Sequence, residues 1–282
     1  MSVVFCNVCG EEHKGDILTC KQCLEDIGNS VCCGKIETNH IYTPEIFPSK
    51  AECDEFDTNK YIKVYSSYIH AHGGDGTLLR AIFKYKDLGL PFFGSAGGTE
   101  NFLMNKSHCV EDNHAIKKLN TIKVKIIYKN LERDMSSIDD HYVDREVEFE
   151  AFNDVMIGGD MNSWVTFDVE EKDNFIGTFK GGGLIISTPQ GSTGINKNNN
   201  GSIIPLSSNL WSITGDKTNR KIEYVIKPRK TSIKVDSRTP VTVWIDGSNK
   251  IIQNVKEVVV SKGTSVQVIF NDFHTFKTKR RL

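Results

Sequence analysis

One short stretch of the chain combines residue types that could bind and move a phosphate group. In the range Tyr68–Ile82, a β-forming run is followed by Gly73, Gly74, Asp75 and Gly76 and then by apolar residues at helical spacing. The pattern predicts a strand, a loop and a helix in direct succession. The free amides and the positive dipole at the start of such a helix suit a phosphate. Asp75 would there take a proton or hold a metal ion.

The tetrapeptide Gly-Gly-Asp-Gly also fits an ordinary tight turn. Thr77 and the helical pattern after it favour the phosphate-binding corner. Glycines allow positive φ and let the backbone come close to a ligand, and we expect them to leave the Asp75 carboxylate free to face a cleft. The candidate ligand-binding residues of this corner are Gly73, Gly74, Gly76 and Thr77, and the candidate catalytic residue is Asp75.

A second group of polar residues lies in the later half of the chain. Asn153 and Asp154 precede an apolar run, and hydroxyl groups follow an apolar strand between Gly181 and Thr193. Carboxylates accept hydrogen bonds from ribose hydroxyls, and amides or hydroxyls can pair with the edge of a base or a carboxamide. The same residues could simply cap a turn and line a solvated loop. Taken alone, they leave both interpretations open. The hydroxyl-bearing residues are Ser187, Thr188, Ser192 and Thr193.

The first 33 residues contain six of the eight cysteines. Two Cys-x-x-Cys pairs, at positions 6 and 9 and at positions 20 and 23, could offer four thiolates to one zinc ion. The spacing between the pairs is a little short for common four-cysteine sites, so other ligands remain open. A disulfide framework is the alternative, although a cytosolic setting disfavours it. We expect a small zinc-ribbon-like segment stabilised mainly by its metal. The candidate zinc ligands are Cys6, Cys9, Cys20 and Cys23, with Cys32, Cys33, His13 and His40 as substitutes.

The composition excludes several classes of protein. Charged residues make up 25% of the chain and the formal net charge is −1, which argues against a general nucleic-acid or membrane-surface binder. No apolar stretch approaches the roughly 20 residues that a membrane helix needs. The N-terminus lacks the basic and apolar regions of a signal peptide. We therefore expect a cytoplasmic protein with no nucleic-acid or membrane partner.

The first half of the chain alternates predicted strands and helices, as an α/β lobe does. A strand over Lys60–His72 leads into the glycine corner and a helix to about residue 87. A short buried strand over Gly89–Gly94 precedes a second glycine loop, Ser95–Leu103. Residues 107–120 read as a surface helix whose inward positions are Val110, Ala115, Ile116 and Leu119.

After residue 121 the pattern changes to short β-rich runs separated by turns. Several of the runs alternate apolar with polar residues, and no long helix interrupts them. A β-sandwich-like second lobe is the economical interpretation. The predicted runs are 122–126, 143–149, 164–169, 184–187, 222–226, 233–235, 241–245 and 255–260.

Taken together, these motifs resemble the NAD kinase family. The sequence Gly-Gly-Asp-Gly-Thr-Leu-Leu-Arg-Ala resembles its first signature, which diacylglycerol and sphingosine kinases and phosphofructokinases share in shorter form. Asn153-Asp154 resembles the second signature, an Asn followed by an acid, and residues 183–193 match the third, Gly-Leu-Ile-x-Ser-Thr-Pro-x-Gly-Ser-Thr. Ile245-Asp246-Gly247 and the closing residues 273–282 resemble the family's last turn and C-terminal segment. The likeness covers roughly residues 61–282.

The resemblance implies an α/β N-terminal lobe and an all-β C-terminal lobe with a nucleotide site in the cleft between them. It implies transfer of the γ-phosphate of ATP, with Mg²⁺, to the 2′-hydroxyl of the adenosine ribose of NAD, which gives NADP. Asp75 would orient or deprotonate that hydroxyl, and the amides of the glycine corner would hold phosphate. Asn153 and Asp154 would bind NAD, with Thr188, Ser192 and Thr193 along the cleft. A homodimer or homotetramer is expected.

With the resemblance in view, we expect four segments. They are a zinc-binding segment at 1–40, the α/β lobe at 41–121, the β-rich NAD-binding lobe at 122–267, and a C-terminal segment at 268–282 that returns to the α/β lobe.

The chain also departs from the family's usual pattern. Gly182 stands in place of an acid, Ile195 in place of an aromatic residue, and 196–200 in place of a small-residue loop. The second glycine loop differs at Ala96, Glu100 and Asn101, and the normally apolar strand carries His70 and His72. Two alternatives therefore stay open, an NAD(P)-binding relative without turnover and a kinase for a lipid or sugar. Polyphosphate is an alternative donor.

Overall fold

The computed structural model describes two units of the chain. The described residues of the first unit lie within Met1–Lys118 and Val266–Phe276, and those of the second lie within Leu119–Ser265. The candidate zinc ligands Cys6, Cys9, Cys20 and Cys23 fall outside the described residues. The described ranges are 3–5 and 12–14 as backbone, and then 61–97, 101–132, 141–159, 164–172, 174–247 and 252–273.

The first unit contains the strand, loop and helix that the glycine motif predicts. Strand β4 (Ile69–Gly73) lies between antiparallel β3 (Tyr61–Val64) and parallel β5 (Phe92–Ala96). β5 pairs in parallel with the end of β16 (Val255–Phe270). Every residue of β4 is buried, as expected for a central strand. In α1, the buried residues recur at helical spacing. The elements are β1 (Val3–Phe5), β2 (Glu12–Lys14), β3 (Tyr61–Val64), β4 (Ile69–Gly73), α1 (Asp75–Tyr85), a 3₁₀ turn (Lys86–Leu88) and β5 (Phe92–Ala96).

The predicted surface helix at 107–120 is wrong. Residues 107–114 form bends and turns, and the long strand β6 runs over Ala115–Glu132. Ile116 packs against a buried cluster of Tyr68, Phe93 and Ile269, and β6 pairs with both β7 and β16. The apolar spacing from 110 to 119 fits a helix, but pairing with neighbouring strands outweighs that local pattern.

The second unit consists mainly of strands, as the alternating runs predict. One sheet has the strand order β13-β12-β11-β8-β15, and the other strands of this unit include β10, β9, β14 and β16, paired in that order. The elements are β7 (His141–Ala151), β8 (Asp154–Gly158), β9 (Val165–Glu171), β10 (Asn174–Gly181), β11 (Gly183–Ser187), a 3₁₀ turn (Gly191–Thr193), α2 (Ile195–Asn198), β12 (Trp211–Asp216), β13 (Glu223–Ile226), β14 (Thr231–Asp236), β15 (Thr242–Ile245) and β16 (Val255–Phe270).

One apolar core joins the strands of the second unit. It includes Phe167 of β9, Ile186 of β11, Ile213 of β12 and Val258 of β16, all at 1% exposure or less. In β9, buried and partly exposed residues alternate, because successive side chains of a strand point to opposite faces. All five residues of β11 are buried. This central strand leads directly into the Ser-Thr-Pro loop, which begins at Ser187-Thr188-Pro189, and fixes where that loop starts.

Neither helix in the described part of the chain has the length and apolar character needed to cross a membrane.

Candidate active site

The glycine corner lies in the first unit, where β4 ends and α1 begins. Gly73 is the last residue of β4, and Gly74 is the N-cap of α1, with no side chain capping the helix. The Gly74 carbonyl accepts hydrogen bonds from the amides of Thr77, at 2.8 Å, and Leu78, at 3.4 Å. The first amides of a helix have no partner inside the helix. The corner therefore presents donors and a positive dipole end, which suit an anion.

Gly76 and Thr77 differ in their surroundings. Gly76 is exposed, and a Cβ built on it would meet only the Arg80 guanidinium, at 3.8 Å. The described protein does not itself need a glycine there, whereas a ligand that approaches the backbone closely would. Thr77 is buried, and its hydroxyl oxygen accepts a hydrogen bond from Arg80 Nη2 at 3.1 Å. Gly76 is thus open to a ligand, and Thr77 is turned inward.

The carboxylate of Asp75 is held by two amides that follow the second run of glycines. Phe102 N donates to Oδ2 and Leu103 N donates to Oδ1, both at 2.9 Å. Because each oxygen has its own amide donor, the plane of the carboxylate is fixed. The residue stays partly exposed. Each carboxylate oxygen has a further lone pair, which can accept a proton or meet a cation.

In the second unit, Asp246 holds the turn that carries Asn153 and Asp154. Its Oδ2 accepts from Phe152 N at 2.6 Å, and its Oδ1 accepts from Asn153 N at 2.6 Å and Asp154 N at 2.9 Å. The Asp246 amide in turn donates to the Asp154 carbonyl at 3.0 Å. Asp246 has a φ of +52°, which an L-residue other than Asn or Asp rarely adopts. One carboxylate therefore fixes the backbone of three successive residues.

The Ser-Thr-Pro block closes over the same turn from the other side. The Thr188 hydroxyl donates to the Phe152 carbonyl at 2.8 Å and the Asn153 carbonyl at 2.9 Å. Gln190 Nε2 donates to the Phe152 carbonyl at 2.7 Å. A Cβ on Gly191 would lie 2.1 Å from the Asn153 carbonyl oxygen, so only glycine fits there. The two motifs, which are distant in sequence, thus form one rigid assembly.

Two buried polar atoms at this turn have no hydrogen-bond partner among the described residues. They are Asn153 Oδ1 and Ser187 Oγ. Ser187 lies directly opposite Asp154 in the pairing of β11 with β8. Burying a polar atom without a hydrogen bond is costly. Unmet acceptors at a rigid turn are therefore what a polar ligand would satisfy.

Asp154 and Asp246 form a pair of half-buried carboxyl groups. Burial raises the pKa of Asp154 to about 7, and the charge of Asp246 raises it further. Burial also raises the pKa of Asp246 to about 6, although the amides of Phe152, Asp154 and Asn153 oppose that rise. At neutral pH this pair exchanges a proton readily. Strongly shifted carboxyl groups of this kind are frequent at functional sites.

The structure brings only some of the predicted site residues together. Asn153, Asp154 and Thr188 meet at the turn. The Thr188 hydroxyl holds the turn by its hydrogen bonds to backbone carbonyls. The buried Ser192 hydroxyl donates to the Pro189 carbonyl at 2.8 Å and accepts from Ile204 N at 3.0 Å. Thr193 is 8% exposed in the following 3₁₀ turn. Ser192 therefore shapes the loop from within. No three His, Cys, Asp or Glu side chains in the described ranges lie close enough to hold a metal ion.

The sequence patterns did not assign site roles to Asp246, Gln190 or the amides of Phe102 and Leu103. The Asp246-Gly247 dipeptide is a turn signal, and a carboxylate that reaches back to amides over 90 residues earlier in the chain leaves no local signature. Likewise, the backbone amides that hold Asp75 belong to residues whose side chains are apolar.

Comparisons with known proteins agree on one family. A family model described as ATP-NAD kinase C-terminal domain matches residues 152–270. An NAD kinase of Finegoldia magna is 29% identical over 159 residues, which are 53% of this chain and 52% of the relative. An NAD kinase of Rickettsia bellii is 26% identical, and the match covers 73% of this chain and 81% of the relative. An NAD kinase of Clostridium tetani is 26% identical, and the match covers 89% of this chain and 86% of the relative. The chain thus spans about half of the first relative and most of the other two.

Two solved structures share the fold. A yeast NADH kinase complexed with NADH has a TM-score of 0.56 and 17% identity, over 71% of this chain and 60% of that one. An NAD kinase from Archaeoglobus fulgidus in complex with ATP has a TM-score of 0.56 and 18% identity, over 74% and 79%. At such identities, the likeness concerns the fold alone.

The Asp154–Asp246 pair makes stability depend on pH. Between the unfolded value of about 3.8 and the raised value of about 7, folded Asp154 binds more protons than unfolded Asp154. The free energy of unfolding should therefore fall as pH rises from about 4 to about 7. Asp154→Asn stays neutral, so its stability relative to wild type should be higher at pH 8 than at pH 5. We expect a gain of about 2 kcal/mol, discounted because the side chain keeps some solvent contact.

Urea unfolding followed by tryptophan fluorescence suits this measurement, because all three tryptophans, at 164, 211 and 244, lie in the second unit. The exposed Asp236 of the same unit provides a matched control, and Asp236→Asn should keep the wild-type slope. An Asp154→Asn protein with the same pH dependence as wild type would contradict the raised pKa.

Proposed function

We propose that the chain is an NAD kinase, which phosphorylates the 2′-hydroxyl of the adenosine ribose of NAD. The phosphate donor would be ATP with Mg²⁺, and the product NADP. Polyphosphate remains the alternative donor. The residues 41–121 would supply the phosphate-binding corner, and the residues 122–267 the NAD-binding lobe, with 268–282 returning to the first.

The observation that carries this proposal is the unpartnered Oδ1 of Asn153. The atom is buried and has no hydrogen-bond partner among the described residues. The backbone amide of Asn153, by contrast, donates to Asp246 Oδ1 at 2.6 Å. A protein that builds a rigid turn and leaves such an acceptor unmet gains from a ligand that donates to it. A carboxamide N–H or a ribose hydroxyl has that chemistry, and NAD carries both.

Asp154 beside it would complete the contact. Its raised pKa of about 7 leaves a share of neutral carboxyl at physiological pH, which can both donate and accept. A hydroxyl that donates to the ionised form would lower that pKa. Binding of NAD should therefore release protons from the protein when the pH lies near 7.

The proposed role of Asp75 is to align the 2′-hydroxyl and accept its proton. Two backbone amides at 2.9 Å fix the orientation of this carboxylate, which is the pre-alignment that phosphoryl transfer rewards. The backbone amides of Gly73, Gly74 and Gly76 would hold phosphate oxygens of the nucleotide. The Mg²⁺ that accompanies ATP supplies charge neutralisation for the transferred phosphate, and carboxylate and phosphate oxygens are the donors it prefers.

A binding protein without turnover is the main rival, and the missing acid at position 182 is the argument for it. The structure weakens that argument. A Cβ on Gly182 would lie 3.6 Å from Asp216 Oδ2, so β12 brings a carboxylate next to this position. We propose that Asp216 supplies the negative charge there. Ile195, which stands where the family usually has an aromatic residue, is half-buried.

Three further parts of the account are proposals that rest on sequence features alone. They are assembly into a homodimer or homotetramer, a cytoplasmic location, and a structural zinc ion bound by Cys6, Cys9, Cys20 and Cys23.

The zinc proposal has a simple test. Protein purified without chelator should contain about one zinc ion per chain, because four thiolates bind zinc tightly at neutral pH. Cys6→Ser or Cys23→Ser should remove the metal while the tryptophan-reported unfolding of the second unit stays unchanged. Cys53→Ser, at a cysteine outside the two pairs, is the control and should keep the metal. Metal analysis that finds no zinc in the wild-type protein would refute the proposal.

The enzyme proposal is tested at Asp75. Asp75→Asn keeps the size of the side chain and removes the base, so kcat for NADP formation should fall about 10²–10⁴-fold. The affinity for NAD should change far less, because the amide still accepts from a hydroxyl. Asparagine keeps one oxygen for the loop amides, so the loss of stability should be about 1 kcal/mol.

The exposed Asp87, just after α1, offers the control variant Asp87→Asn, which should keep the wild-type rate. If Asp75 only anchors the loop, Asp75→Asn would lose stability yet keep a near-normal rate per folded molecule. A binding-only protein would form no NADP even as wild type. Either outcome would overturn the assignment.

A further inference from the structure

Two histidines and a serine form a buried polar cluster beneath the glycine corner. His70 Nε2 lies 2.7 Å and His72 Nδ1 lies 2.9 Å from Ser95 Oγ. His70 and His72 are alternate residues of β4 and share one face of it. His72 is the partner of Ser95 in the parallel pairing of β4 with β5. One hydroxyl therefore bridges two imidazoles across the central strands.

The protein buries this cluster almost completely. His70 and Ser95 have no solvent exposure, and His72 has 3%. Burial lowers the pKa of His70 to about 3, with His72, His108 and Lys63 acting in the same direction. Burial also lowers the pKa of His72, and the charge of His108 lowers it to a smaller extent. Both imidazoles are therefore neutral at physiological pH.

Neutral imidazoles impose an order on the two hydrogen bonds. The Ser95 hydroxyl carries one hydrogen and can donate it to one ring nitrogen only, so the other ring must donate to Ser95 Oγ. Buried polar groups with fixed donor and acceptor roles hold their elements in one arrangement. An apolar trio of the same size would pack but would impose no such geometry.

The cluster lies where both glycine loops leave the sheet. His72 directly precedes Gly73, and Ser95 directly precedes Ala96 and Gly97. Gly97 N donates to the Gly73 carbonyl at 2.7 Å. A Cβ on Gly97 would lie 2.6 Å from His72 Nε2, so the imidazole contacts the second loop directly. Ala96 N donates to the Asn105 carbonyl and Asn105 N donates to the Gly94 carbonyl, both at 2.8 Å. Asn105 lies two residues after Leu103, whose amide, with that of Phe102, holds the carboxylate of Asp75.

We infer that His70, Ser95 and His72 are positioning residues. They hold the end of β5 and, through its hydrogen bonds with Asn105, keep the Phe102 and Leu103 amides and the carboxylate of Asp75 in the orientation needed for phosphoryl transfer. The reaction itself rests on the function proposed above. The three residues touch no reacting atom. They act by fixing the loop whose Phe102 and Leu103 amides bind Asp75, and a displacement of about 1 Å at such a site costs as much as 10²-fold in rate.

Variants can separate the hydrogen bonds from mere packing. Ser95→Ala removes both bonds and little volume. An asparagine amide can replace a ring Nδ1 and a glutamine amide can replace a ring Nε2, so His72→Asn and His70→Gln keep the observed contacts. The crossed variants His72→Gln and His70→Asn put the amide in the wrong place. Each conservative variant thus has a matched partner at the same position.

The first readout is the rate of NADP formation. Ser95→Ala and the crossed variants should lower kcat about 10-fold to 100-fold, with KM for NAD and ATP changed less than about threefold. His72→Asn and His70→Gln should recover most of the loss. If the conservative and crossed variants lose rate equally, or if Ser95→Ala keeps the wild-type kcat per folded molecule, the positioning role is refuted.

The second readout does not depend on activity. Hydrogen exchange of the Phe102 and Leu103 amides reports whether the loop still holds Asp75. Their exchange should become at least about tenfold faster in Ser95→Ala and stay near wild type in His72→Asn. Unchanged protection in Ser95→Ala would overturn the inference even if the wild-type protein forms no NADP. A wild-type protein without activity but with the expected exchange would refute the proposed function alone.

Discussion

The hydrogen bonds from three successive backbone amides to the Asp246 carboxylate determine the geometry of the second unit's site. Its oxygens lie 2.6–2.9 Å from the amides of Phe152, Asn153 and Asp154. Without this acceptor, the buried amides would have to find other partners or unfold the turn. The bond also ties the end of β15 to the start of β8, two strands paired in the same sheet. The Ser-Thr-Pro block then closes on a surface that is already fixed.

This arrangement lowers the stability of the folded protein, which indicates that it serves a function. Two carboxyl groups share a site that raises the pKa of both, to about 7 and about 6. A buried amide oxygen and a serine hydroxyl beside them have no partner among the described residues. A turn selected for stability alone would place apolar groups here. The first unit follows the same principle, because it buries His70, Ser95 and His72 where apolar side chains would pack without desolvation cost.

The sequence predicts the elements better than the contacts that connect them. The glycine corner, α1 and most short strands follow from local pattern, since each depends on residues a few positions apart. The helix predicted over 107–120 fails because β6 gains pairing partners far along the chain. The residues that supply the amide donors of Asp75 lie 27 and 28 positions later in the chain. Thr188 and Ser192 have the residue types of ligand contacts, but the Thr188 hydroxyl donates to the distant Phe152 carbonyl and the Ser192 hydroxyl to the Pro189 carbonyl of its own loop. No local rule reveals such distant pairings.

Calorimetric titration of NAD into wild-type and Asn153→Ala protein tests the central claim most directly. Asn153 Oδ1 has no described partner, so its removal should leave the free energy of unfolding within about 1 kcal/mol of wild type. If the atom is kept for the ligand, the Kd for NAD should rise about tenfold or more, as loss of a buried hydrogen bond requires. An unchanged Kd, with the turn still folded, would contradict the account.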